Sequence, residues 1–348
     1  MLEVNGVKIG KDNKPYIIAE LSANHGGDIE RARNSIKAAK EAGVSAVKMQ
    51  TYSPDTMTLD TDKKDFQINE GLWKGFNLYQ LYSKAYTPFD WHSELFNYAN
   101  EIGVTLFSTP FDESAVDLLE RLGAPAFKIA SFEITDLPLV KYVAKKKKPM
   151  FISTGMSDAQ EIASALEICR SQGVAEILLF HCISNYPTEL KDSRLGDIKY
   201  LETEFGVDVG LSDHTITNDA SVLAIALGAS AIEKHFKLDN EECGPDSSFS
   251  VTPDQLSKLV RECNSAWEAI KSDNLKRSEK EIKNKIFRRS IYFSRKLSAG
   301  HILTSDDIRR VRPGYGLEPK YFDKIVGMKI TRDVDFAEPV SWNCLTKD

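Results

Sequence analysis

Cysteine is sparse and disordered in its spacing. Cys169, Cys182, Cys243, Cys263 and Cys344 form an odd, scattered set with no CxxC pair. That pattern argues against a disulfide framework and fits a reducing cytoplasm. Long apolar runs are also missing; none approaches the roughly 18 residues of a membrane span, so no membrane partner is expected. The first residues, MLEVNGVKIGKDNKPY, have no apolar core of a signal peptide. An excess of positive charge is absent too: 45 Lys+Arg against 51 Asp+Glu leave a net charge of -6. With no long basic stripe, a nucleic-acid partner is not expected. The one basic run, Lys145 to Lys148, reads as the solvated end of a helix. What remains is an ordinary globular composition, 42% hydrophobic and 28% charged. A chain of 348 residues has room for one large domain and a small one.

Short β-rich runs alternate with amphipathic helical stretches. The predicted strands are YIIAEL (16–21), VSAVKMQ (44–50), VTLFSTP (104–110), AFKIAS (126–131), PMFISTG (149–155), EILLFHC (176–182), VDVGLSDH (207–214) and AIEKHF (231–236). Between them lie helical patterns such as IERARNSIKAAKEAG and AQEIASALEICRSQG, ending in the glycine expected just past a helix. This rhythm implies parallel pairing through right-handed crossovers. Eight units in about 240 residues match a (β/α)₈ TIM barrel, with an open doubly wound sheet as the alternative. The longest gap, between Thr51 and Trp91, predicts a loop-plus-helix excursion over the barrel mouth. Within it Trp73, Phe76, Tyr79, Tyr82 and Tyr86 have near-helical spacing and read as packing. The rhythm breaks after about Trp267. A polar linker over 273–285 leads to a small domain, 286–348, with a helix cap expected at Ser305; the barrel takes 1–272.

Polar residues collect near the C-terminal ends of the strands, several at the period-two spacing that puts them on one face. Glu20 pairs with Ser22 in this way, Lys48 with Gln50, Ser212 with His214, and Glu233 with His235. Ser108, Thr109, Lys128, Ser131, Ser153, Thr154, His181 and Ser184 crowd the same level. In a barrel those ends meet on the rim where active sites are built. Lys48 and Lys128 with the surrounding hydroxyls suit a phosphate and a carboxylate. His214 and His235, from adjacent strands, are either ligands of a divalent metal or neutral core histidines. Glu20 is a candidate general base. Lys234 reads as a local ion pair; Glu233 pairs a lysine or supports the histidines. His25 suits a loop hydrogen bond, His181 a packed hydrogen-bonded role, and His92 and His301 the surface.

Taken in order, AELSANHGG (19–27), VKMQTY (47–52), FSTPFD (107–112), FKIAS (127–131), ISTGM (152–156), GLSDHT (210–215), EKHF (233–236) and GPDSSFS (244–250) give the chain its family likeness. It resembles the sialic acid synthase family, whose members condense phosphoenolpyruvate with an N-acylated amino sugar. RRSIYFSRKLSAGHIL and VRPGYGLEP are similar to the antifreeze-like (SAF) domain at the C-terminus of those enzymes. AELSANH, LYQLYSKAYTP and GPDSSFS look like the pseudaminic acid synthase branch; sialic acid synthases read nearer AEIGxNH and GPDHxAS. Ser247 and Ser248 beside Phe249 would give a smaller, more apolar wall, suited to a 6-deoxy sugar with two acetamido groups.

The resemblance implies Glu20 and Lys48 as catalytic residues, with Lys48 also holding phosphoenolpyruvate. Gln50, Thr109, Lys128, Ser131, Ser153 and Ser212 would hold it too. His214 and His235 would ligate Mn2+ or Mg2+. Tyr186 and Asp246 would contact the sugar, with Asn77, Glu133 and Ser184 further substrate contacts. Ser184 departs from the Asn that sialic acid synthases tend to carry there. Arg312 would reach over the barrel mouth of the partner in a homodimer. Two other readings stay open: a Schiff-base aldolase using Lys128 or Lys234, and a non-catalytic sugar-binding protein.

Overall fold

The period-two polarity of the strand sequences becomes the two faces of one closed sheet. The computed structural model describes residues 2–241, 244–271 and 276–347, so Cys243 and the start of the expected linker (273–275) lie outside the described residues. Eight parallel strands, β1 (Tyr16–Glu20), β2 (Ala46–Thr51), β3 (Thr105–Pro110), β4 (Phe127–Ile129), β5 (Met150–Ser153), β6 (Ile177–His181), β7 (Asp208–Asp213) and β8 (Ala231–His235), pair in sequence, and β8 closes on β1. Each is followed by a principal helix: α1 (Ile29–Glu41), α2 (Phe89–Ile102), α3 (Glu113–Arg121), α4 (Leu137–Ala144), α5 (Ala159–Ser171), α6 (Asp197–Phe205), α7 (Asp219–Ala226) and α8 (Pro253–Ile270). The fold is therefore the (β/α)₈ barrel that the rhythm implied. Carboxylates start the helices: Asp28, Asp112, Asp136 and Asp158 each accept from a first-turn amide, satisfying donors the helix leaves free.

Outer-face residues such as Ile17, Val47, Leu106, Ile129, Ile152, Leu179 and Ile232 pack with Ile36, Leu119 and Leu166 of the helices. Alternate positions point inward. Ile18, Ala46, Phe107, Phe151, Leu178, Phe180 and Ala231 form a second apolar cluster with Leu2, Val4 and Ile9 of an antiparallel N-terminal hairpin. That hairpin packs against the early residues of the strands, so the N-terminal end of the barrel is dry and the polar chemistry is left to the other end. Gly210 makes room inside. A Cβ there would lie 2.6 Å from the Ala231 carbonyl oxygen and 2.7 Å from the Phe180 ring.

Lys234 shares the outer parity of Ile232, so it turns away from the barrel interior. Its ammonium, 1% exposed with the residue, donates to Asp213 Oδ2 at 2.8 Å and to the carbonyls of Thr215 and Thr217 at 2.5 and 2.9 Å. This is the local ion pair expected of it. The excursion between β2 and α2 carries a helix at Leu78–Ala85, capped by Asn77. Trp73 and Phe76 precede that helix, so the five aromatics do not share one helical face; Trp73 instead meets Tyr186, ring centroids 5.9 Å apart.

The chain divides into two units, Met1–Lys271 and Ser272–Asp348. In the second, Ser290–Phe293 pairs with Ile308–Val311 and Lys329–Ile330 with Leu345–Thr346 around Ile291, Phe293, Leu303, Ile325 and Val340. Within the expected linker a short helix forms at Glu279–Lys283. Thr304, not Ser305, is the cap, because Asp307 accepts from both the Thr304 amide and its hydroxyl. Among the described residues no helix is long and apolar enough to cross a membrane.

His92 is not a surface residue: α2 buries it completely. Its Nε2 lies 2.8 Å from Thr51 Oγ1 and its Nδ1 3.0 Å from the Pro88 carbonyl, an arrangement that a neutral ring satisfies. Burial pushes its pKa down to about 4, and burial does the same to His25. A base whose folded pKa is depressed stabilises the fold fully above its unfolded value near 6.5 and loses that contribution as pH falls toward 4. Urea midpoints should therefore decline over that interval. His92→Gln should make the decline shallower even though it lowers stability at neutral pH. An unchanged slope would show that His92 does not drive the acid loss.

Candidate active site

Charge inside a barrel must be paired or used, and here it is arranged as a chain. On the inward face of β1, Glu20 sits beside Lys48 of β2, with Oε2 2.8 Å from the ammonium. Lys48 is 3.6 Å from Glu233 Oε1 on β8. Lys128 of β4 crosses the interior and donates to both oxygens of Glu233, at 3.0 and 2.8 Å. Ser212 donates to Glu233 Oε1 at 3.2 Å, and Lys48 to Thr109 Oγ1 at 3.2 Å. All four charged residues are buried. Desolvation raises the Glu233 carboxyl, but Lys128 and Lys48 outweigh it and bring the pKa to about 2. Burial also works against the charge on Lys48, where Glu20 and Glu233 prevail and raise its pKa. In Lys128 desolvation prevails and lowers it. Glu20 is raised, by desolvation that exceeds the pull of Lys48. The array thus holds one firmly ionised carboxylate against two lysines, with Glu20 as the carboxyl closest to exchanging a proton.

The imidazoles stand beside this chain. Lys234 pairs with Asp213 across β8 and β7, so His235 and His214 follow one step further along, with ring centroids 5.6 Å apart. His214 Nδ1 lies 2.8 Å from the Ile183 carbonyl; donating there leaves Nε2 as the acceptor. His235 Nδ1 is buried without a hydrogen-bond partner, 3.9 Å from Asp246 Oδ2. Burial lowers the pKa of both rings, keeping them neutral. Bare imidazole nitrogens are suitable donors to a divalent cation. Among the described residues no group of three or more His, Cys, Asp or Glu side chains gathers closely enough to enclose one.

The other expected contacts are spread more widely. Gln50 donates to Glu20 Oε1 at 3.1 Å. Ser131 Oγ lies 3.0 Å from Cys182 Sγ and accepts from the Gly155 amide at 3.2 Å. The Ser184 hydroxyl, buried and unpartnered, stands where a Cβ on Gly155 would fall. Ser153 is buried on β5 with the inward parity of Phe151. Tyr186 packs against His214 and Phe249, at 4.3 and 5.3 Å between centroids. Glu133 leaves one buried oxygen unpartnered, and burial pushes its pKa up to about 7. Asn77 is engaged locally: it caps the Leu78–Ala85 helix and donates to Asp62 Oδ1 at 3.0 Å. Arg312 is exposed on the second unit. Sequence reasoning gave Ser22 no role, although its spacing from Glu20 placed it on the same face. Its hydroxyl donates to Asp246 Oδ2 and accepts from Gln50 Nε2 at 3.2 Å.

A (β/α)₈ barrel with carboxylates, lysines and imidazoles gathered at the carboxyl ends of its strands is an enzyme's architecture. Residues 35–274 match the NeuB family model, and residues 288–346 match the SAF domain. The chain belongs to the NeuB family. It is 43% identical to a pseudaminic acid synthase of Campylobacter jejuni over 94% of this chain and 95% of that protein. Identity is 40% with the enzyme of that name from Helicobacter pylori, over 94% and 96% of the two chains. The crystal structure of an N-acetylneuraminic acid synthetase from Leptospira borgpetersenii superposes with a TM-score of 0.73 and 29% identity, covering 81% of this chain and 94% of that one.

Removing Glu233 alone strands Lys128 in the interior. Glu233→Ala should cost about 3–5 kcal/mol, read from urea unfolding. Glu233→Ala combined with Lys128→Met should recover much of that, because both charges leave together. A double variant as unstable as the single one would disprove the pairing.

Proposed function

We propose that the protein is a metal-dependent pseudaminic acid synthase. It condenses phosphoenolpyruvate with 2,4-diacetamido-2,4,6-trideoxy-L-altrose and water, giving pseudaminic acid and phosphate. The observation that carries this reading is the buried Glu20–Lys48–Glu233–Lys128 array beside two neutral imidazoles. Identity of 43% and 40% with pseudaminic acid synthases, against 29% with a neuraminic acid synthetase, supports the choice of sugar.

Lys48 and Lys128 neutralise the phosphate and carboxylate of phosphoenolpyruvate, whose charge would otherwise repel Glu20. Gln50, Thr109, Ser131, Ser153 and Ser212 supply neutral donors and acceptors around it. The enol carbon attacks the aldehyde carbon of the open-chain sugar, and the resulting alkoxide gains a proton. Water adds to the cationic carbon left behind and loses a proton to Glu20. The carbon–oxygen bond to phosphate then breaks as the ketone forms. Tyr186, Asp246, Glu133 and Ser184 face the sugar, with Asn77 at the edge of its site. The unpartnered His235 Nδ1 and the acceptor nitrogen of His214 fit a divalent cation, manganese or magnesium, which those two residues would hold. Such an ion supplies Lewis-acid polarisation of a bound oxygen when present. Most of the rate enhancement then comes from positioning and preorganised charge. The enzyme works as a cytoplasmic homodimer, Arg312 of one protomer completing the barrel of its partner.

The direct test is phosphate release from phosphoenolpyruvate with three sugars, the altrose derivative, an N-acetylmannosamine-type sugar and a legionaminic-type precursor, with and without EDTA. The altrose derivative should be preferred, and EDTA should stop release. Preference for another sugar would reassign the enzyme to a neuraminate or legionaminate synthase. EDTA-insensitive turnover with borohydride trapping would favour a Schiff-base aldolase. Lys234 faces the helices and offers no amine for that chemistry, which leaves Lys128. Glu20→Ala should bind phosphoenolpyruvate nearly normally while kcat falls about 10²- to 10⁴-fold. Near-normal kcat would remove Glu20 from the mechanism.

A further inference from the structure

Ser22 occupies a place in the molecule that its size and chemistry do not explain by packing. Its φ is +44°, a left-handed conformation that a residue with a Cβ adopts at a cost. Glycine would occupy that backbone more easily. Such outliers persist where the surroundings hold them, and they cluster at functional sites. Here the surroundings are the reacting groups. The Ser22 amide donates to Glu20 Oε1 at 3.2 Å. Its hydroxyl accepts from Gln50 and donates to Asp246 Oδ2. One residue therefore touches the β1 end through its amide, and the β2 end and the loop after β8 through its buried hydroxyl.

The same turn is fastened to that loop at further points. Asn24 donates to the Phe236 carbonyl at 2.9 Å and to Ser250 Oγ at 2.8 Å, and it accepts from Ser247 Oγ at 2.9 Å. The backbones approach so closely that a Cβ on Gly244 would collide with the Ala23 carbonyl. Asn24 and Gly244 fix where the loop runs. They do not fix the Asp246 carboxylate; among the described residues, the side-chain hydrogen bond to it comes from Ser22. Without that bond the carboxylate is free to turn toward the unpartnered His235 Nδ1, 3.9 Å away.

We propose that Ser22 is a positioning residue for acceptor selectivity. Its hydroxyl holds the Asp246 carboxylate in the one orientation that matches the intended sugar, and the strained backbone at Ser22 is kept to deliver that hydroxyl. The inference rests on the synthase reading above, since that reading makes Asp246 a sugar contact. A glycine here would relax the backbone and release the carboxylate, so less of the discrimination among amino sugars would survive.

Two variants separate the hydroxyl from the backbone. Ser22→Gly removes the hydroxyl and relieves the left-handed strain; Ser22→Ala removes the hydroxyl and keeps the strain. Both should raise KM for the altrose derivative about tenfold, the order one hydrogen bond to a charged group is worth. KM for phosphoenolpyruvate should move less than twofold. Preference for the altrose derivative over the N-acetylmannosamine-type sugar should fall in both, and Ser22→Gly should melt at or above the wild-type temperature. In an Asp246→Ala background Ser22→Gly should add nothing. A Ser22→Gly enzyme with wild-type KM values and selectivity would overturn the proposal and reduce Ser22 to a turn residue. Should the wild type release phosphate with none of the three sugars, the synthase reading fails by itself. The clamp is then judged by crystal structures of the wild type and Ser22→Ala, in which the Asp246 carboxylate must leave its wild-type orientation; an unmoved carboxylate would refute it.

Discussion

Glu233 is the charge on which the interior depends. It is ionised because two lysines face it, and the lysines are tolerated because it is there. Lys128 reaches it with two hydrogen bonds, Lys48 stands 3.6 Å off, and Ser212 completes its shell. Buried ion pairs are weak contributors to stability, since desolvation consumes most of the attraction. Their presence in a barrel that could be filled with leucine and valine signals a use. An array with two ammonium groups and one committed carboxylate is prepared to receive an anion, and it does so before any ligand arrives. That preorganisation matters for chemistry among anions, because the charges need not be moved at the moment of reaction.

The barrel supplies this by separating its two ends. Leu2, Val4 and Ile9 of the N-terminal hairpin join the phenylalanines and aliphatics of the early strand positions in an apolar plug. Two residues further along the same strands, the inward positions become Glu20, Lys48, Lys128, Ser212 and Glu233. The apolar layer below removes competing water and leaves each polar group to satisfy its neighbour. The outward positions are recruited as well. The Lys234–Asp213 pair is buried on the helical side and sits between the residues that carry the site, Glu233 and His235 on one strand, Ser212 and His214 on the next. It ties β7 and β8 together where their inward side chains need a fixed spacing.

Much of the fold was legible in the sequence because its signals are local and repeated. Period-two strands, amphipathic helical stretches and terminal glycines recur often enough to give the count of eight and the closure. The rim residues were legible for the same reason, since a strand's parity and its C-terminal end together fix which side chains reach the mouth. The misplaced residues are instructive. His92 looked like a surface residue, but Thr51 and the Pro88 carbonyl give it partners inside. Trp73 carried helical spacing, yet the helix begins only at Leu78, and its ring belongs with Tyr186.

By itself the sequence determined the barrel, the small C-terminal domain and the set of side chains delivered to the mouth. These follow from hydrophobic periodicity and turn chemistry, which act over a few residues and survive in one dimension. Only the tertiary structure decided the pairings: Lys128 with Glu233 across 105 positions, Ser22 with Asp246 across 224, Lys234 outward to Asp213. A partner chosen through space depends on barrel closure and strand register, and no local pattern encodes which of several nearby charges will lie within 3 Å.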